Sequence, residues 1–118
     1  MPDRLLQLAR LADIPDPGSK GFSLAIRGGA LEGFLVRRGG RVTAWRNSCP
    51  HTGAPLDWTP DRFLDPAGRH IQCALHGARF DTATGRCLHG PCLGEYLDPL
   101  PLVIENGAVY LALAGGAG

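Results

Sequence analysis

Two short stretches constrain this chain more than any other part of it: Cys49-Pro50-His51-Thr52-Gly53 and Cys73-Ala74-Leu75-His76-Gly77. Each offers one thiol and one imidazole at close spacing and ends in a glycine, and four such ligands satisfy a soft transition-metal centre. Zinc-finger signatures usually set two cysteines in one half and two histidines in the other. Here each half is a mixed pair, which suits two adjacent irons, one held by the cysteines and the other by the histidines. Zinc stays open as the alternative metal. In either case the fold has to bring two ligand-bearing loops side by side.

A chain of 118 residues is the size of one ordinary domain. We expect a single domain over residues 1–114, with its metal-binding part at about 47–92 and a frayed tail at 115–118. Seventeen glycines and ten prolines imply many turns, which favours short strands over long helices. The formal net charge of +1 gives no general attraction to nucleic acid or to an anionic membrane. No stretch approaches the ~20 apolar residues of a membrane span. Met1-Pro2-Asp3 lacks the basic and apolar regions of a leader, so the expectation is a cytoplasmic protein. In a reducing compartment, cysteines with histidines nearby point to a metal rather than to disulfides. Cys87 and Cys92 could form a redox pair or serve as extra ligands, but free cysteines are more often small core hydrophobes, and that is the expectation for both.

Along the chain, Leu5 to Ala12 fits a helix about as well as a strand, and Asp13 to Ser19 breaks into a loop. Phe22, Leu24 and Ile26 alternate as in a half-buried strand that ends at Gly28-Gly29. Gly39-Gly40 between Gly33–Arg38 and Arg41–Arg46 is a hairpin signal, because both turn residues can take positive φ. A second hairpin is expected over 62–72, a third over 78–88, and the clearest one around Asn106-Gly107. Both ligand pairs therefore fall on tight loops at hairpin ends of an all-β chain.

Cys49-x-His51, a gap of 21 residues, and Cys73-x-x-His76-Gly77 together resemble the Rieske iron–sulfur proteins. The likeness continues through Gly77-Ala78-x-Phe80-Asp81, Thr84-Gly85, Gly90-Pro91, Pro101-Leu102 and Asn106-Gly107-x-Val109-Tyr110. It implies an all-β Rieske domain of stacked small antiparallel sheets with a cluster-binding subdomain of two loops. It further implies one 2Fe-2S cluster held by Cys49 and Cys73 on the inner iron and His51 and His76 on the outer one. Gly90-Pro91 would lie in a third loop beside the cluster.

In the high-potential members of this family each ligand loop carries an additional cysteine, and the two form a disulfide. The matching positions here are Ala54 and Leu75, so that bridge cannot form. Those members also have a serine and a tyrosine that donate to the cluster sulfurs, where this chain has Ala78 and Phe80. Donors near sulfur stabilise the more negative, reduced cluster, so their loss lowers the potential. A ferredoxin-like centre toward the bottom of the roughly −150 to +300 mV Rieske span is expected.

The resemblance implies a one-electron carrier between a reductase and an oxygenase or other redox enzyme, and no catalytic residues of its own. Pro50, Thr52, Leu56, Leu75 and Pro91 are the expected docking surface. Two rivals predict something else: a redox-sensing subunit predicts a partner whose affinity follows oxidation state, and a structural zinc module predicts a colourless protein. His70 and His89 read as structural or exposed, Trp45 and Trp58 as core or loop-covering aromatics, and Arg37, Arg38 and Arg41 as a solvated edge.

Overall fold

The computed structural model describes residues 4–26, 28–50, 53, 55–56, 61–73 and 77–113. Among them run nine strands: β1 (Arg4–Arg10), β2 (Gly18–Ile26), β3 (Gly29–Arg38), β4 (Arg41–Arg46), β5 (His70–Gln72), β6 (Arg79–Asp81), β7 (Cys87–His89), β8 (Leu102–Glu105) and β9 (Ala108–Leu113). They form three three-stranded antiparallel sheets, ordered β1-β9-β8, β2-β3-β4 and β5-β6-β7. The only helical turn among the described residues is a short 3₁₀ segment, Leu11–Asp13. The all-β expectation is met.

The turn chemistry works as the sequence implied. Gly39-Gly40 and Asn106-Gly107 all take positive φ, which matches the right-handed twist of the strands they join. The ambiguous Leu5 to Ala12 stretch becomes β1 because β9 offers it a partner from the far end of the chain, Leu6 opposite Leu111. No local signal could have decided that, since the pairing is long-range. The 62–72 hairpin is reduced to a single bridge, Leu64 to Ile71, with Phe63 and Asp65 bonding to Gln72 and His70. Its outer arm is held elsewhere. Ser19 Oγ donates to Asp61 O and accepts from Phe63 N–H, while Phe63 stacks on Phe34 at 4.2 Å.

Most of the buried apolar side chains fall into two clusters. One packs Ala9, Ile14, Leu35, Ala44 and Val109 between the terminal sheet and the β2-β3-β4 sheet. The other contains Phe34, Val36, Trp45, Leu56, Phe63, Ile71, Phe80 and Leu97 together with all four cysteines. Trp45 bridges β4 to the turn after β6, where a Cβ on Gly85 would meet its ring at 2.6 Å. Thr43 Oγ1 accepts from Trp45 Nε1 and donates to Thr82 O, tying the same two sheets together.

Arg37 corrects the reading of a solvated arginine edge. Its Nη1 donates to Leu11 O at 2.8 Å and Ile14 O at 3.0 Å, so it anchors the N-terminal segment to β3. Asp16 completes the anchor by accepting both amide N–H groups of the Gly39-Gly40 turn at 2.8 Å. Arg38 and Arg41 are exposed, as expected.

Candidate metal centre

The two ligand loops share one turn. In the first, the Cys49 carbonyl accepts the Gly53 N–H at 2.7 Å, and in the second the Cys73 carbonyl accepts the Gly77 N–H at 2.9 Å. Gly53 and Gly77 close these turns at φ 77° and 65°, a left-handed conformation that costs little only without a Cβ. The common Cys-to-Gly spacing in the sequence is therefore one backbone device used twice. Both cysteines point into the core, at 2% and 0% exposure.

Support differs between the loops. The first follows β4 and is held by side chains: Asn47 Oδ1 accepts from Leu56 N–H at 2.7 Å, and Ser48 Oγ donates to Gly53 O. The second is the β5–β6 connection itself, closed by Cys73 N–H donating to Ala78 O at 2.8 Å. A third segment reaches it from the side. Gly90 lies so near Ala78 that an added Cβ would stand 2.9 Å from Ala78 Cα. The Gly90-Pro91 segment thus abuts the residue that follows the second ligand loop.

These residues fit a thiolate-bound metal group. Among the described residues neither Cys49 nor Cys73 has a hydrogen-bond partner for its sulfur, and both are free thiols. A buried thiolate needs a cation to offset its desolvation, which a metal supplies directly. Among the described residues alone no group of three or more His, Cys, Asp or Glu side chains is placed to hold a metal. The expected set depends on His51 and His76, which lie outside the described residues, as do Thr52, Ala54, Trp58 and Leu75. Ala78 and Phe80, the positions without donors, are fully buried.

The remaining cysteines are core residues, as expected, and they also meet as a pair. Cys92 Sγ donates to Cys87 Sγ across 2.9 Å, and both are fully buried. Burial first, and then the Cys87 neighbour, push the Cys92 thiol up to about 12. Only the C-x₄-C spacing hinted at this in the sequence. His70 is structural, with Nδ1 3.4 Å from Asp65 Oδ2, and His89 is exposed on β7. Burial raises the Asp65 carboxyl, but the N–H groups of Arg69 and His70 and the His70 ring outweigh it and leave it below its ordinary value. Asp81 is lowered by the N–H groups of Thr84 and Ala83. Trp45 is core, as expected.

Leu56 is a correction. It is fully buried behind the first loop, where its N–H is held by Asn47, and it offers no docking surface. The exposed large apolar side chains nearest the third segment are Leu88, Leu93 and Tyr96. Tyr96 also lines a shallow groove with Ser48, Cys49, Pro50, Gly53, Glu95 and Asp98.

Comparison with known proteins gives a consistent result. Residues 7–105 match the family described as the Rieske [2Fe-2S] domain. The chain is 34% identical over 113 residues to the ferredoxin component of the naphthalene 1,2-dioxygenase/salicylate 5-hydroxylase systems of Ralstonia sp., covering 96% of this chain and 99% of that one. It is 40% identical over 79 residues to the ferredoxin component of the 2,4-dinitrotoluene dioxygenase system of Burkholderia sp. (strain RASC), covering 67% and 70%. Among solved structures, the ferredoxin of carbazole 1,9a-dioxygenase from Nocardioides aromaticivorans IC177 superposes with a TM-score of 0.72 at 25% identity, covering 94% of this chain and 99% of that one.

Proposed function

Because this chain belongs to the Rieske [2Fe-2S] domain family, we propose that it works as the ferredoxin of an oxygenase system, taking single electrons from a reductase and delivering them to an oxygenase. It is an electron-transfer protein with one 2Fe-2S cluster, and it is not itself the catalyst. When bound, the cluster supplies one reversible electron at a potential set by its ligands and neighbours. Cys49 and Cys73 would hold it from the core side, and His51 and His76 would complete the set. The observation that carries this reading is the matched pair of glycine-closed turns that bury Cys49 and Cys73 in one cluster of side chains.

The residues around the centre do three things for such a carrier. Leu56, Phe80 and Ile71 exclude water from the cysteine side, which keeps the thiolates from exchange. The backbone-closed turns fix the ligands before any electron arrives, so little rearrangement accompanies transfer. Pro50, Pro91, Leu93 and Tyr96 offer small or apolar surface beside the ligand loops for a partner to approach. We assign the whole to one domain over 1–114, with residues at about 47–92 forming its cluster-binding part. A cytoplasmic location fits the reading, because free thiolate ligands persist in a reducing compartment. Among the described residues no helix is long and apolar enough to cross a membrane.

Iron and acid-labile sulfide analysis with electron paramagnetic resonance of the reduced protein tests the reading. Equal iron and sulfide with a Rieske-type signal is the expected result. Zinc without sulfide would overturn it, and so would a chain that accepts electrons from no reductase.

A further inference from the structure

Cys87 and Cys92 take no part in the ligand set, yet their placement is not that of two incidental core residues. Their sulfurs stand 2.9 Å apart, closer than van der Waals contact and within an ångström of the about 2.05 Å disulfide bond. Between residues 91 and 96 every side chain is exposed except that of Cys92. One small thiol is thus the buried side chain of that loop, and it touches a second thiol at the start of β7. The backbone is already drawn together there: Cys87 N–H donates to Glu95 O at 2.7 Å, and Gly94 N–H donates to Cys87 O at 3.1 Å. Gly90 in the same segment rests on Ala78, one residue past the second ligand loop.

We propose that Cys87 and Cys92 form a dithiol/disulfide couple whose disulfide pins the 90–96 loop to β7, keeping Gly90 on Ala78 beside the second ligand loop, and slows loss of the cluster. The oxidant is a low-molecular-weight disulfide. Local opening of the exposed 91–96 loop brings the pair to solvent, where one cysteine attacks the oxidant as the thiolate, forming a mixed disulfide and releasing one small thiol. The other cysteine then displaces the second small thiol, closing the Cys87–Cys92 bond. Two protons and two electrons leave the pair and end on the two small thiols. This bridge lies within the third segment, unlike the inter-loop bridge that Ala54 and Leu75 rule out. The couple itself stands on the sulfur geometry, and only its protective role rests on the cluster reading.

The sequence makes the test direct. Trypsin cuts after Arg46, Arg62, Arg69, Arg79 and Arg86, so Cys49, Cys73 and the Cys87/Cys92 pair fall on three different fragments. Cluster-loaded protein is equilibrated with oxidised or reduced glutathione, denatured in N-ethylmaleimide, digested and weighed. Under oxidised glutathione the 87–118 fragment is expected to lack two hydrogens and to take up no maleimide, while the Cys49 and Cys73 fragments are alkylated. Two maleimides, or a glutathione, on the 87–118 fragment would overturn the couple. Bleaching of the cluster by a chelator is expected to run roughly fivefold slower under oxidised than reduced glutathione. In a Cys92→Ala chain that dependence should vanish. Equal rates in the native chain, or a dependence that survives Cys92→Ala, would overturn the protective role.

Discussion

The two ligand loops make the same turn with different support. Cys49 to Gly53 sits in a long connection and relies on the side chains of Asn47 and Ser48 to hold its shape. Cys73 to Gly77 is the end of a hairpin, closed by its own backbone and leaned on by Gly90. A metal clasp can thus be built from one repeated backbone device while its two arms fail for different reasons. Loss of a side chain should loosen the first arm. The second should yield only to changes in backbone or contact.

Removing a ligand should abolish that asymmetry and produce the largest effect. Cys49→Ser and Cys73→Ser are each expected to purify without iron, sulfide or visible colour, and a coloured Cys73→Ser protein would break the assignment. Next comes Gly90→Ala, which sets a Cβ against Ala78 from a φ of 111°. It is expected to cost about 2–3 kcal/mol in denaturant unfolding, with loss of the third segment's contact on the second loop. Asn47→Ala leaves the N–H of buried Leu56 unpaired and should cost about 1–2 kcal/mol. Amide exchange should then rise around 47–56 and stay unchanged around 73–79, which tests the comparison most directly.

A smaller effect is expected on the electron itself. Phe80→Tyr gives the second side of the centre the donor it lacks, and voltammetry should show a midpoint raised by about 50 mV. A midpoint of the unchanged protein well above +100 mV would sink the low-potential reading, since that lies in the upper part of the roughly −150 to +300 mV span. The smallest effect appears only in acid. Asp65 and Asp81 are both held below the ordinary carboxyl value of 3.8, so the folded chain favours their ionised forms. Their contribution is complete above that value and is lost as pH falls through the lowered ones. Asp81→Asn should flatten that part of the acid unfolding curve, and an unchanged curve would remove Asp81 from the account.

Much of the centre was legible because its signals are local. A cysteine four residues before a glycine, Gly39-Gly40 and Asn106-Gly107 each act through a few consecutive residues, and each took the conformation its chemistry demands. Leu56 and Arg37 were misread for the opposite reason. An apolar residue in a loop looks like surface until Asn47 and the core fold over it, and an arginine beside a turn looks solvated until Leu11 and Ile14 present their carbonyls.

The all-β character, the hairpin turns, the candidate ligands Cys49, His51, Cys73 and His76, and the lack of cysteines at Ala54 and Leu75 for an inter-loop disulfide can all be read along the chain. Tertiary structure alone decided that β1 pairs with β9, that Gly90 rests on Ala78, and that the sulfurs of Cys87 and Cys92 meet. Turn geometry depends on neighbouring residues and can be read in order. Contacts between distant segments depend on how all the sheets pack at once, and no stretch of sequence carries that information alone.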